Sequence, residues 1–304
     1  MKIIVDNSGE YNDVMGNYFN LSKYDDGAED VVFFQGYNTS RNVGLKQQYA
    51  CFKKRIYLNL ESPCSFLTTQ SSVEEQKYFT HIFTLCPYTA EWLKDTNTNF
   101  IVVPFPISLD VFNKVGGDKE FDVIYMGTLM NHDHYNIINV MRNHNYVFTS
   151  LFNYSTPYTP THLNVNSFKK WELLAKSRIN ITINQAPFGI DKVGNVKSYL
   201  GWEKHRAFNK IDSGTMPQIK VRITEAMGLK TLNLVKRDEW NVIEHWFEPD
   251  KHFIYWDDFN DLNNKITDIK NNYEQYQHII DNAYDAVKPY DIDSIFKDKI
   301  LKWN

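Results

Sequence analysis

The sequence predicts an α/β protein built as two parallel-sheet domains, and three observations carry this. Short apolar runs alternate with helical patterns through the first hundred residues, as parallel β-α-β units require. A stretch with Pro104, Pro106, Gly116 and Gly117 then interrupts the alternation, and a second series starts with FDVIYM at 121–126. Residues 218–235, QIKVRITEAMGLKTLNLV, join a short amphipathic helix, a glycine and a buried strand. Such a unit sits at the rim of an open α/β sheet, where ligands of these folds bind. At 304 residues and 42% hydrophobic content the chain can fill two cores.

In order, strands are expected at 2–6 (KIIVD), 31–35 (VVFFQ), 55–60 (RIYLNL), 81–85 (HIFTL) and 100–103. Each is a short β-branched or aromatic run closed by a turn residue. Pro87 opens the helix PYTAEWLK, because proline at the first helical turn costs no hydrogen bond. After 121–126, closed by Gly127-Thr128, come the helix NIINVMRN, the strand YVFTSLF, the helix FKKWELLAK and the strand INITIN. Residues 185–217 break the rhythm. They carry five cations with Phe188, Tyr199, Trp202 and Phe208, and loops this long are usually functional or disordered. Past 235, helices are expected at 239–247, 258–270, 273–287 and 291–303, with a strand at 252–256. The domains read as 1–105, a linker 106–120, and 121–287, both main domains being Rossmann-like.

The polar face of 220–227 offers Lys220, Arg222 and Glu225 within six residues. Two cations suit a diphosphate through charge-assisted bonds, and one carboxylate suits ribose hydroxyls. The competing reading is an amphipathic helix with a solvated charged face. Gly228 is expected to end that helix in the left-handed conformation.

The net charge of −4 is unevenly spread. Residues 161–237 hold fourteen Lys/Arg against five Asp/Glu, a surplus of +9 that leaves −13 on the remainder. A diphosphate needs two or three of those cations. The rest permit a polyanionic partner such as double-stranded DNA, or simply a solvated surface. No apolar run approaches the roughly 20 residues of a membrane span, and the N-terminus lacks a signal-peptide layout. Three cysteines, Cys51, Cys64 and Cys86, read as free thiols in a reducing cytoplasm. Asn131-His132-Asp133-His134 could ligate a metal, but neighbours in a row cannot all point inward. No D-x-D stands at a strand end, so no metal and no other cofactor are expected.

The run K-x-R-x-T-E-A-M-G-x-K-T-L, followed by an acidic and aromatic segment at 238–256, resembles the donor-binding element of GT-B glycosyltransferases. It is nearest the CgeB-like and exostosin-like group, whose pattern is R-x-x-E-A-x-x-x-G. Arg222, Glu225, Ala226 and Met227 match, and Gly228 falls one place early. The E-x7-E signature of the large retaining families is absent: Asn233 stands eight residues past Glu225. The runs YLNLESPC and IFTLCPYTAEWL are similar to glycosyltransferases of tailed phages.

The resemblance implies two Rossmann-like domains facing a cleft, the tail 288–304 crossing back to the first, and a nucleotide-sugar donor, uridine-linked by expectation. Gly127 and Thr128, with Lys220, Arg222 and Glu225, would hold the donor, and Arg222 would stabilise the leaving diphosphate. A general base is needed near the acceptor hydroxyl, and Glu61, Asp6 and Glu10 fit by position at first-domain strand ends. Glu61 is preferred because Pro63 stiffens its loop, although it could equally cap a turn. Replacing Glu225 by Ala is expected to weaken donor binding and leave the fold intact. The acceptor implied by the phage-like runs and the charge surplus is a 5-hydroxymethylpyrimidine in phage DNA, contacted by Gly9, Lys192, Lys197, Trp202, Lys204 and Arg206. Two alternatives stay open: synthesis of a surface or lipid-linked glycan, and a catalytically silent sugar-nucleotide-binding scaffold. The sequence leaves the sugar, the stereochemistry and the oligomeric state open.

Overall fold

The computed structural model describes residues 1–5, 21–36, 47–59, 77–92, 94, 99–187 and 215–300. The chain divides into two compact units: Met1–Phe105 with Gln185–Ile219, and Pro106–Asn184 with Lys220–Asn304.

Among the described residues the larger sheet of the first unit has five strands: β1 (Lys2–Val5), β2 (Val31–Gly36), β3 (Lys54–Asn59), β4 (His81–Thr84) and β5 (Asn99–Val102). They pair in chain order, all parallel, with Phe33 opposite Ile56 and Phe83 opposite Ile101. Successive residues such as Val32 and Phe33, or Ile56, Tyr57 and Leu58, are all buried, as in a parallel sheet covered on both faces. Helix α1 (Pro87–Trp92) starts at the proline that marks it in the sequence. β10 (Gln185–Pro187) and β11 (Thr215–Pro217) pair antiparallel at the two ends of the long insertion, and 188–214 between them lies outside the described residues.

The second unit begins with α2 (Leu109–Phe112) and β6 (Phe121–Met126). Then come α3 (His132–Met141), β7 (Tyr146–Ser150), β8 (His162–Leu163), α4 (Ser167–Ala175) and β9 (Ser177–Thr182). After the insertion follow α5 (Val221–Gly228), β12 (Leu232–Lys236), β13 (Ile254–Trp256), α6 (Phe259–Asn271), α7 (Gln277–Val287) and α8 (Ile292–Ile295). The six strands lie in the order β13-β12-β9-β6-β7-β8, parallel throughout. Read from β8, this is the third, second, first, fourth, fifth and sixth strand of the unit, the doubly wound order of dinucleotide-binding sheets. The order reverses between β6 and β9, so the crevice of the unit opens beyond the carboxyl ends of those two strands.

In the second unit a core cluster is formed by Val123, Ile179, Ile181, Leu232, Leu234 and Trp256 of the sheet with Ile137, Ile138 and Met141 of α3 and Leu262, Ile266 and Ile269 of α6. Side-chain caps set the helix starts. Asn131 Oδ1 accepts from His134 N at 3.2 Å, Asn166 Oδ1 from Lys169 N at 2.9 Å, and Asp258 Oδ1 from the amides of Asn260 and Asp261 at 2.9 Å. Such caps are each worth about 1 kcal/mol.

Several expectations are corrected. Gly228 does not end α5 in the left-handed conformation. It is the last helical residue, and the positive φ belongs to Lys230, at 53°. Glycine is required at 228 because a Cβ there would lie 2.7 Å from Phe112 Cδ2 and 3.0 Å from Ile107 Cδ1. The helix expected at 239–247 is reduced to one 3-10 turn, Val242–His245. Asp238 Oδ1 binds the amides of Trp240 and Asn241, and Asn241 sits at φ 46°, a local turn that competes with helix. Residues 106–120 carry α2 and bond to the tail: Ile107 N donates to Tyr290 O at 3.1 Å, Ile292 N to Ile107 O at 2.8 Å, and Leu109 N to Asp291 Oδ1 at 2.9 Å. This segment and the tail both lie in the second unit. Among the described residues no helix is long and apolar enough to cross a membrane.

Candidate active site

The rim where the strand order reverses gathers the residues of the 218–235 stretch. Its foundation is a buried amide network. Asn180 of β9 and Asn233 of β12 are both buried. Asn180 Nδ2 donates to Asn233 Oδ1 at 2.7 Å, and Asn233 Nδ2 donates to Ile223 O at 3.1 Å. Asn184, just past β9, accepts from Lys220 N at 3.1 Å. Together they pin the first turn of α5 across two strands. Its N-terminal amides and dipole then favour an anion at that end.

Arg222 leaves α5 toward the end of β6. Its guanidinium lies against Gly127, so that a Cβ on residue 127 would stand 2.9 Å from both Nη1 and Nη2. Gly127 itself has φ 142°, a region open to glycine and strained for other residues. The guanidinium carbon is 5.8 Å from the centroid of the Tyr125 ring, and burial raises the Tyr125 hydroxyl to about 12. His134, at the start of α3, accepts from Met130 N through Nδ1 at 3.2 Å, which places its proton on Nε2. Burial first, then the charges of Arg222 and Lys220, lower His134 to about 4. A neutral imidazole and two fixed cations thus share the mouth of the crevice.

Glu225, one turn further along α5, is only 1% exposed. Its Oε1 accepts from Lys170 Nζ at 2.6 Å and from Trp171 Nε1 at 2.9 Å, both on α4. Its Oε2 is buried and has no hydrogen-bond partner among the described residues. Glu225→Ala would strip these two donors of their acceptor inside the unit, so a loss of stability is expected beside any loss of donor binding.

Of the sequence-predicted donor residues, the structure thus brings together Gly127, Lys220 and Arg222, with Glu225 on the same helix. Thr128 follows Gly127 and precedes Leu129, whose amide donates to the Tyr154 hydroxyl at 2.9 Å. Asp6, Gly9, Glu10, Glu61, Lys192, Lys197, Trp202, Lys204 and Arg206 lie outside the described residues. Two residues of the 131–134 cluster are engaged locally, Asn131 in the helix cap and His134 with Met130 N. Sequence reasoning missed Tyr125, Asn180, Asn184, Lys170 and Trp171, and weighed His134 only as a metal ligand. A polar residue within a buried apolar strand was the available signal for Asn180, and one just past its carboxyl end was the signal for Asn184.

Residues 159–291, which carry α4, β9 and all of α5, match a family described as "Glycosyl transferase-like". No curated protein sequence matches the chain. Among solved structures, Anabaena HepE in complex with UDP and glucose superposes with a TM-score of 0.57 at 10% identity, over 91% of this chain and 79% of that one. Sucrose-phosphate synthase from Thermosynechococcus elongatus gives 0.55 at 10% identity, over 91% and 73%. TarM gives 0.55 at 11%, over 92% and 56%. The fold is that of GT-B glycosyltransferases, and the site-bearing segment 159–291 is similar to a glycosyl transferase-like family.

Proposed function

We propose that the protein transfers a sugar from a UDP-linked donor to an acceptor hydroxyl, and that the rim of the second unit holds the donor without a metal. The observation that carries this is the arrangement of α5: Arg222 on the Gly127 backbone, Lys220 at the helix start, and the buried Glu225 one turn beyond. In the proposed step the bond from the sugar's anomeric carbon to the diphosphate oxygen breaks, and its electron pair stays on the diphosphate. The acceptor oxygen forms the new bond and gives up its proton to a base, for which Glu61 and Asp6 are the proposed groups. Charge grows on the leaving diphosphate, and Arg222, Lys220 and the α5 amides stabilise it where it develops. Glu225 takes the ribose. HepE, whose solved complexes contain UDP and UDP-glucose, supports a uridine donor.

The proposed acceptor is a 5-hydroxymethylpyrimidine in DNA. Its support is the +9 balance of 161–237 and the phage-like runs of the first hundred residues. Lys192, Lys197, Lys204 and Arg206 would neutralise phosphates, Trp202 would support the displaced base, and Gly9 would let the acceptor approach. About four phosphate contacts give a logarithmic salt slope near −3.6, at roughly −0.9 each.

The test is a UDP-sugar panel assayed for UDP release, followed by transfer to hydroxymethylated and ordinary duplexes across a salt series. Release of UDP with some donor supports the transferase. Donor binding without release would make the protein a silent binder. If neither duplex binds at low salt, the DNA acceptor is wrong and a surface or lipid-linked glycan takes its place.

A further inference from the structure

Glu225 presents an asymmetric carboxylate. Lys170 Nζ and Trp171 Nε1 converge on the same oxygen, Oε1, at 2.6 and 2.9 Å. The second oxygen, Oε2, is fully buried and has no partner among the described residues. A buried carboxylate oxygen left unbonded is costly, and such a group in a native structure calls for an explanation, a functional role or a bound partner among them. The two donors sit on α4, 55 and 54 residues before Glu225 in the chain, so the carboxylate plane is set by a different helix from the one that carries it. Neither donor arises from the 218–235 stretch. Trp171 is held in turn: its ring packs edge-on against Phe112 at 5.4 Å and Phe168 at 5.3 Å, and it is 1% exposed. The Lys170 side chain is 23% exposed, so its stem reaches inward from the surface to a fixed point.

We propose that Lys170 and Trp171 are positioning residues of the donor site. By occupying Oε1 they leave Oε2 as the unpartnered oxygen that accepts from the ribose hydroxyls, and so set the preference of the site for a ribonucleotide over a nucleotide lacking those hydroxyls. This rests on the reading of Glu225 as the ribose contact and deepens it. Two donors on one oxygen fix both the tilt and the rotation of the carboxylate. With either removed, the group can rotate and offer either oxygen, and the preference weakens even where the fold persists.

The experiment is calorimetric binding of UDP, ADP and GDP, each against its 2′,3′-dideoxy counterpart, to the wild-type chain and to Lys170→Met, Lys170→Arg and Trp171→Phe. A hydrogen bond to a charged group is worth about tenfold to a hundredfold in affinity, and the wild type is expected to show a ribose preference of that size for the nucleotide it binds. Lys170→Met is expected to cut the preference at least fivefold, Lys170→Arg to restore most of it, and Trp171→Phe to reduce it with the volume largely kept. Thermal midpoints measured alongside separate this from packing, because a merely structural role lowers the midpoint and leaves the ratio of affinities alone. A wild-type preference that survives unchanged in both Lys170→Met and Trp171→Phe overturns the positioning role while leaving Glu225 as the ribose contact. A wild type that binds both forms of every nucleotide equally removes Glu225 from the ribose and this proposal with it.

Discussion

The guanidinium of Arg222 rests on the backbone of Gly127 so closely that a single methyl group on residue 127 would meet both of its terminal nitrogens at 2.9 Å. The glycine that closes β6 and the cation that leaves α5 are therefore one structural unit, made at the point where the strand order reverses. Gly127→Ala should displace the guanidinium and strain a backbone held at φ 142°. The expected cost is about 1–3 kcal/mol in stability, with UDP affinity falling at least severalfold. Urea denaturation and calorimetry check the two effects separately.

Arg222→Ala should lower turnover more than it raises the Michaelis constant for the donor. Charge on the diphosphate is larger in the transition state than in the bound substrate, so the lost interaction is mainly a transition-state one. Loss of one such stabilising group costs on the order of a hundredfold in kcat. Steady-state kinetics on the wild type and the variant decide it: a raised KM with normal kcat would show uniform binding instead.

Much of this site is legible in the sequence, and the missing parts share a physical cause. FDVIYM predicts β6 to the residue because a buried parallel strand is a continuous apolar run between turn signals. The α5 pattern and its charged face are visible because a helix repeats every 3.6 residues. What remains hidden is set by strand order and by contacts between distant elements. Lys170 and Trp171 look like ordinary residues of an amphipathic helix until the fold brings α4 against α5. The reversal between β6 and β9 is a matter of pairing, which no local run encodes. Gly228 is conspicuous as a glycine, yet its reason, Phe112 and Ile107 pressed against it, lies over a hundred residues upstream.

Gly228→Ala follows from that contact. Placing a Cβ 2.7 Å from Phe112 Cδ2 overpacks the base of α5, and overpacking a core costs about 1–3 kcal/mol. The thermal midpoint should fall, while UDP affinity measured well below the midpoint stays within about twofold, since the cations and the carboxylate are elsewhere on the helix. A variant as stable as the wild type would contradict the packing.

His134 makes stability depend on pH with a defined sign. Its ordinary value is 6.5, and burial with Arg222 and Lys220 lowers it to about 4 in the folded chain. Between those values the unfolded chain binds a proton that the folded chain refuses, so stability falls as pH drops from about 6.5 to about 4. His252 and His81 are lowered in the same direction, so the contribution of His134 is the difference from a His134→Gln variant. Urea midpoints of the wild type should fall more steeply across that window than those of the variant. Parallel curves would show that His134 titrates alike in the folded and unfolded chain, against the lowering by burial.

The measurement that tests the central claim most directly is the thermal shift of the full chain with UDP, in the wild type, Arg222→Ala and Glu225→Gln. At one hundred times its dissociation constant the ligand should stabilise the wild type by about 2.7 kcal/mol. At the same concentration the shift should shrink in both variants, since one removes a phosphate contact and the other a ribose contact. No shift with UDP or any other nucleoside diphosphate, or a shift that both substitutions leave intact, would contradict the assignment of α5 and Gly127 as the donor site.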